Sequence, residues 1–153
     1  MPVRSAGILL YRGSGPSLEV LLVHPGGPFF ARRDAGVWGI PKGECAPGED
    51  PLDSARREFA EETGHALERA PSVDLGEIRQ RSGKIVRAWA VEGDLDADRI
   101  SSNTFVLEWP PRSGREQTFP EVDRAAWLGL DEAAAKILAA QRPLLDRLAR
   151  ALG

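Results

Sequence analysis

Three glutamates lie in the short segment 58–62 and carry the strongest chemical signal in the chain. If this segment is helical, Glu58, Glu61 and Glu62 share one side of the helix, because residues three and four apart are neighbours there. Each like-charge pair costs about 0.2–0.5 kcal/mol in an isolated helix. A bound divalent cation would offset this repulsion, and oxygen ligands suit magnesium or manganese. The alternative is a charged face in contact with solvent, and the helix by itself favours that alternative.

The helix that must position these glutamates is predicted over residues 51–63. Asp50 suits the N-cap, Pro51 suits the first helical position, and Gly64 suits the residue that ends the helix. An apolar stripe at helical spacing leaves the glutamates on another face. The residues of this stripe are Leu52, Ala55 and Phe59.

The residues before the helix follow a fixed spacing. Gly43 is followed after five residues by Glu49, and seven further residues lead to REFAEETG at 57–64. This pattern resembles the Nudix box, G-x5-E-x7-R-E-U-x-E-E-x-G-U, where U is a bulky aliphatic residue. Phe59 and His65 stand at the two aliphatic positions, so neither departure removes a carboxylate. Every fixed residue is present: Gly43, Glu49, Arg57, Glu58, Glu61, Glu62 and Gly64.

The resemblance implies a magnesium-dependent hydrolase, with manganese as an alternative metal, that cleaves a nucleoside diphosphate linked to another group. By the family pattern, Glu58 and Glu62 are expected to bind the metal, and Glu61 to bind it or to support a ligand. The backbone carbonyl near Gly43 is expected to complete the site. Arg57 is expected to orient Glu49 and Glu61 through charge-assisted hydrogen bonds.

The general base is left open between Glu58, Glu49 and a glutamate from a later loop. Glu121, in the segment FPEVDRAAW, resembles the loop carboxylate of dinucleoside polyphosphate hydrolases. We therefore expect Glu121 to serve as an additional metal ligand or as the base. Glu116 and Glu108 are weaker alternatives.

Substrate contacts are expected from the residues around the start of the box. Lys42 is suited either to a phosphate or to a structural role, and Trp38 either to the core or to the border of a base pocket. Arg32 and Arg33 lie in a Gly/Pro loop with two aromatic residues. The segment 37–50 again resembles dinucleoside polyphosphate hydrolases, which favours a substrate of the diadenosine tetraphosphate type or a nucleoside triphosphate. The alternatives are a housecleaning pyrophosphatase for oxidised nucleotides and a non-catalytic, nucleotide-binding regulatory module.

Length and pattern predict an α/β (α+β) fold in one domain over residues 1–153. Runs at 5–12, 18–24, 72–80, 84–93 and 103–109 are strand-like, and helices are predicted at 131–141, capped by Asp131, and from Pro143. Residues 110–123 are expected to form a polar loop. The resemblance implies an α/β/α sandwich with a central mixed sheet that carries the acidic helix.

Composition sets limits on location and partners. A net charge of −3 argues against a general nucleic-acid binder but permits a small nucleotide substrate. Cys45 is the only cysteine, so an intramolecular disulfide is excluded and a reducing compartment is favoured. The apolar run at 8–11 is too short for a signal-peptide core or a membrane span. We therefore expect a cytoplasmic monomer or homodimer without a membrane or a stable nucleic-acid partner.

Overall fold

A six-stranded mixed sheet forms the centre of the molecule. The computed structural model describes residues 3–67 and 70–153. The strands of the sheet are β1 (Arg4–Arg12), β2 (Glu19–Pro25), β3 (Lys42–Glu44), β4 (Ser72–Arg79), β5 (Ile85–Glu92) and β8 (Val122–Gly129). Their order is β4-β5-β1-β2-β8, and β3 pairs with β1 beside β2. Only β1 and β5 run parallel, and the remaining pairs are antiparallel.

Helices cover both faces of this sheet. Ile8 and Leu10 of β1 point towards α1 (Pro51–Thr63), while Leu9 points to the opposite face, where α2 (Leu130–Lys136) and α3 (Arg142–Leu152) pack. This alternation follows from the two-residue period of a strand. Because β1 is covered on both faces, it reads as a continuous apolar run. The predicted α/β/α sandwich with a central mixed sheet is confirmed.

The predicted loop at 110–123 is wrong in its second half. Residues Glu116–Pro120 form strand β7, which pairs with β6 (Thr104–Glu108) as an antiparallel hairpin. The sequence did not indicate this strand because its side chains are mostly polar and exposed, and only Phe119 is half-buried. The Gly/Pro-rich part, residues 110–114, is the turn between the two strands.

The predicted helix over 131–141 is also wrong in its extent. Helix α2 begins at Leu130, with Gly129 rather than Asp131 at the N-cap, and it ends at Lys136. The backbone becomes extended at Ile137 because Trp38 pairs there: the Trp38 amide donates to the Lys136 carbonyl, and the Leu138 amide donates to the Trp38 carbonyl. A tertiary contact therefore overrides the local helical preference. Across the described residues, no helix has the length and apolar character needed to cross a membrane.

Candidate active site

The acidic helix α1 is fixed by its caps and its apolar stripe, as its sequence predicts. The Asp50 carboxylate accepts a hydrogen bond from the Asp53 amide at 3.3 Å, and Gly64 ends the helix with a left-handed φ of 77°. Ala55 and Phe59 are fully buried against the sheet, and Leu52 is half-buried. The other side of α1, with its three glutamates, therefore faces a cleft.

Arg57 joins two carboxylates of this side, those of Glu58 and Glu61, and that of Glu49 from the preceding loop into one network. Its guanidinium donates to Glu58 at 2.9 Å, to Glu49 at 3.1 Å and to Glu61 at 3.2 Å. It also donates to the Glu44 carbonyl at 3.2 Å, which ties the loop before the helix to the helix itself. These hydrogen bonds hold three like charges close together and limit the positions that each carboxylate can take.

Glu49 is held as a charged group. Hydrogen bonds from Arg57, then from the Ser54 hydroxyl, lower the pKa of Glu49 to about 2. The Ala46 amide donates a further hydrogen bond to the same carboxylate. A carboxylate with so low a pKa is a poor proton acceptor at neutral pH. The geometry therefore suits Glu49 to positioning Arg57 better than to acting as a base.

Gly43 makes room for Glu58. A Cβ atom on Gly43 would overlap the carboxyl group of Glu58, so a side chain at this position would displace that glutamate. Strand β3 brings Gly43 to this position by pairing with Ala6 of β1. Glycine at the first residue of the box thus permits this close approach of the Glu58 carboxylate, and its φ is not unusual.

The deepest carboxylate of the cleft is Glu62. Burial raises the pKa of Glu62 to about 8, against the opposing effect of Lys42, whose amide donates to Glu62 at 3.3 Å. Burial also raises the pKa of Glu58 and lowers the pKa of Lys42. Without a cation, desolvation thus penalises charge on both Glu62 and Glu58. A positive ion in the cleft would favour their ionised forms.

Glu121 and Asn103 form the wall opposite α1. The Asn103 amide donates to the Glu61 carbonyl, and the Glu121 amide donates to the Asn103 carbonyl, each at 2.8 Å. The Ser102 hydroxyl donates to the Asn103 carbonyl at 2.7 Å and accepts from the Val122 amide at 3.0 Å. Residues 101–103 therefore link the end of α1 to the loop that carries Glu121.

The resulting cleft is strongly polar and continues into a more apolar pocket. Its lining includes the predicted residues Lys42, Gly43, Glu58, Glu61, Glu62 and Glu121, together with Glu44, Lys84 and Asn103. Lys42, Glu62 and Glu121 also line the adjoining pocket, whose other walls are largely apolar. Those walls are formed by Val23, Pro25, Val37, Gly39, Ile40, Val122, Leu138 and Gln141.

Other residues considered from the sequence lie away from this cleft. Trp38 is 4% exposed, donates to the Asp34 carboxylate, and lines a separate depression beside Arg124 and Lys136. Arg32 and Arg33 lie exposed in the loop after β2. Glu108 and Glu116 face each other across the hairpin.

His24 is fully buried between Asp123 and the Arg33 carbonyl, at 2.7 and 2.6 Å from its two ring nitrogens. It has a structural role in this geometry because both nitrogens are already bonded. His65, which departs from the family pattern, bonds the Arg99 carbonyl at 2.7 Å and so holds the segment before residue 101.

Besides Glu44, sequence reasoning missed four polar residues that complete the site. Ser54 bonds Glu49, Ser102 supports the Glu121 loop, and Asn103 and Lys84 line the cleft. The position of Ser54 on the helix face towards Glu49 is a signal that spacing could have revealed. The other three come from loops and a hairpin turn that only the folded sheet brings to the cleft.

The residues of the cleft fit a hard divalent cation. Their donors are carboxylate and carbonyl oxygens, which magnesium and manganese prefer, and Gly43 leaves the space that the Glu58 carboxylate occupies. Among the described residues, no three His, Cys, Asp or Glu side chains already converge on one point. A cation would therefore have to draw the carboxylates closer together, against the hydrogen bonds that Arg57 makes.

A comparison with protein families matches residues 1–148 to the NUDIX domain. The chain belongs to the Nudix family. Members of this family use divalent metals and bind small nucleotide substrates. The acidic helix and the glycine at its approach are the family's box, placed on the family's fold.

Named relatives of this Nudix chain differ in length and function. It is 34% identical over 112 residues to an octanoyltransferase of Myxococcus xanthus, a match that covers 72% of this chain and 26% of that protein. The chain thus spans about a quarter of that relative. It is 29% identical over 129 residues to an RNA pyrophosphohydrolase of Rhizobium meliloti, covering 75% of this chain and 72% of that protein.

Solved structures show the same fold. A binary complex of the C. elegans Ap4A hydrolase superposes with a TM-score of 0.68 and covers 97% of both chains at 22% identity.

Proposed function

We propose that this Nudix chain is one domain that hydrolyses a nucleoside diphosphate-linked substrate with Mg²⁺, and that the substrate is a dinucleoside polyphosphate of the diadenosine tetraphosphate type or a nucleoside triphosphate. The observation that carries the proposal is the continuity of the polar cleft with the more apolar pocket through Lys42, Glu62 and Glu121. Phosphates at the carboxylates would leave a nucleoside within reach of that pocket. Such pockets with a few polar groups are typical of ligand sites.

The metal ligands in this proposal are Glu58, Glu61 and Glu62, with the carbonyl of Gly43. A bound Mg²⁺ neutralises phosphate charge and favours attack by water at phosphorus. Arg57 holds Glu58 and Glu61 in place, and Glu49 in turn holds Arg57.

Glu121 is the general base in this proposal. Among the described residues, its carboxylate makes no hydrogen bond, whereas Glu49 is bonded by Arg57 and Ser54 and has a pKa of about 2. Lys42 contributes positive charge to a phosphate at the border between the cleft and the pocket. Arg32 and Arg33 remain predicted substrate contacts from the exposed loop, and a role for Trp38 is not favoured by its burial.

The test is a substrate screen in Mg²⁺ with products separated by chromatography. Diadenosine tetraphosphate, nucleoside triphosphates, ADP-ribose and coenzyme A are the informative compounds. We expect one water to convert diadenosine tetraphosphate to ATP and AMP. Activity confined to ADP-ribose or coenzyme A would reject the substrate proposal, and binding without turnover of any compound would favour the regulatory alternative.

A second candidate is removal of pyrophosphate from the 5′ end of RNA. The observation that favours it is the similarity to the Rhizobium meliloti RNA pyrophosphohydrolase, of which 72% is matched. Release of pyrophosphate from 5′-triphosphorylated RNA, faster than hydrolysis of diadenosine tetraphosphate, would favour this candidate over the first.

A further inference from the structure

The β6–β7 hairpin stands beside the catalytic cleft and is attached to it at both ends. It leaves the cleft wall at Asn103 and returns at Glu121. Its inner face packs on the loop after β2, where the Phe105 ring lies 2.9 Å from the position of a Cβ on Gly27. The Gly26 amide also donates to the Glu121 carbonyl at 2.9 Å. The hairpin and this loop therefore form one continuous structure at the edge of the cleft.

An exposed aromatic ring is braced on this structure. Phe29 is 61% exposed, although it is a large apolar side chain. Its ring forms a T-shaped pair with the ring of Trp109, the residue after β6, with the ring centroids 5.3 Å apart. An exposed ring fixed by a second ring presents a flat apolar surface at little cost in side-chain freedom. Such surfaces stack the bases of nucleotides.

The hairpin turn places an arginine where a glycine or asparagine is the usual residue. Arg112 has a φ of 61°, in the left-handed region that other residues rarely adopt. The Glu108 carboxylate accepts from its amide at 3.0 Å and so supports this conformation. Within the described residues, the guanidinium groups of Arg112 and Arg115 form neither ion pairs nor hydrogen bonds. The strained turn therefore carries the positive charge of Arg112, and no contact within the described residues neutralises that charge.

The charges of the hairpin limit what can bind there. Glu108 and Glu116 lie directly opposite each other, next to the two arginines. A surface of mixed sign is unsuited to a long polyanion, which needs a row of cations. It is suited to one base with an adjacent phosphate, because one ring and one or two arginines can serve such a group.

We propose that Phe29, Trp109, Arg112 and Arg115, which we name the hairpin rim, bind the distal nucleoside of a dinucleoside polyphosphate. Its base stacks on Phe29, and Arg112 pairs with the polyphosphate beyond the reacting phosphorus. Trp109 lies six residues from Asn103 along an extended strand, roughly 20 Å at the usual rise. The rim thus serves the far end of a long substrate. This proposal rests on the proposed function, because it assumes phosphates at the carboxylates of the cleft.

The test compares two rim variants with a control matched in exposure. Phe29→Ala and Arg112→Asn alter the rim, and Val106→Ala alters a side chain that is also 61% exposed but lies on the other face of the hairpin. The dissociation constants of diadenosine tetraphosphate and ATP are measured by calorimetry with Ca²⁺ in place of Mg²⁺. Hydrolysis of both is measured separately in Mg²⁺, and Tm is measured for every variant.

We expect Phe29→Ala to weaken diadenosine tetraphosphate binding roughly ten- to hundredfold relative to ATP, as loss of one stacked base predicts. Arg112→Asn is expected to weaken it several-fold while leaving Tm equal or higher, because asparagine tolerates the left-handed turn. Val106→Ala is expected to leave both constants unchanged. A merely structural role for Arg112 would instead lower Tm and affect both ligands alike.

Two results would contradict the proposed binding of the distal nucleoside by the hairpin rim and would leave the proposed function unaffected. One is that all variants hydrolyse diadenosine tetraphosphate and that the ratio of its dissociation constant to that of ATP is the same in every variant. The other is a Val106→Ala variant that weakens diadenosine tetraphosphate binding as much as Phe29→Ala does. If Phe29→Ala weakens the binding of diadenosine tetraphosphate but the wild type hydrolyses no compound, the binding role of the hairpin rim is supported and the proposed function is rejected.

Discussion

The two walls of the cleft are built in different ways. On the α1 wall, Gly43, Glu49, Arg57 and the glutamates lie close in sequence, and one guanidinium ties three carboxylates together. On the opposite wall, Asn103 and Glu121 are separated by a whole hairpin and meet through backbone hydrogen bonds. The difference teaches that charge placement on the first wall is a property of a local segment, whereas on the second wall it is a property of the assembled fold.

The largest effect is expected on the α1 wall, at Glu62. Glu62→Gln should lower kcat roughly a thousandfold in Mg²⁺, because a metal ligand contributes several kcal/mol to charge stabilisation. The Tm should change little, because burial already favours the neutral form of this side chain, whose pKa is about 8. Steady-state kinetics and thermal melting measure both. Glu132→Gln, on the exposed side of α2, is the control, and undiminished hydrolysis by Glu62→Gln would refute the metal assignment.

A second change on the same wall tests the space beside Glu58. Gly43→Ala should weaken Mn²⁺ binding about ten- to a hundredfold, because its methyl group displaces the Glu58 carboxylate. Titration of Mn²⁺ followed by electron paramagnetic resonance measures the affinity. Gly129→Ala is the matched control, since a Cβ there meets no atom within 4 Å and its φ is −64°. Equal affinities in the two variants would show that the close approach is irrelevant to the metal.

The opposite wall is tested at Ser102. Ser102→Ala removes the hydroxyl that bonds both the Asn103 carbonyl and the Val122 amide, so the Glu121 loop loses its support. We expect kcat/KM to fall about tenfold, with recovery in Ser102→Thr. Ser101→Ala is the control, because Ser101 bonds α1 through its backbone amide only. If both alanine variants behave alike, the second wall does not depend on this hydroxyl.

The smallest expected effect is the pH dependence of the Arg57 network. Hydrogen bonds from Arg57 and Ser54 lower the pKa of Glu49 from 4.5 to about 2. Because the folded state favours the charged form, the stabilisation is complete above pH 4.5 and is lost as pH falls towards 2. Thermal melting with a metal chelator should show Glu49→Gln melting below the wild type at pH 6, and the gap closing near pH 2. A gap that is independent of pH would contradict this origin.

The predictability of the site follows the same division. The box, the caps of α1 and the buried stripe at Ala55 and Phe59 could be predicted because each depends on spacing within one helix. The contribution of Asn103 and Lys84 could not be predicted, because these residues reach the cleft only when β4, β5 and β6 have taken their places. Glu121 is an intermediate case, because its place in the site was predicted from the family resemblance and not from any local pattern of residues.

The fold shows a similar limit. The apolar runs of β1 and β2 predicted two strands of the sheet, since burial on both faces leaves a strong signal. Strand β7 gave no such signal because its side chains face solvent, and its strand form depends on pairing with β6. Likewise, the end of α2 at Lys136 depends on the bridge between Trp38 and Ile137. Predictions from one sequence fail where a partner distant in the chain decides the conformation.

The link at residues 101–103 has a consequence for how the chain can vary in length. Ser101 is bonded to Thr63, Asn103 to Glu61 and then Glu121 to Asn103, so the number of residues between these points fixes the width of the cleft. Residues 94, 96, 98 and 99 are exposed and outside any strand, so an insertion there can bulge into solvent. One extra residue after Ser101 would shift the register and move Glu121, the proposed base, away from the carboxylates of α1.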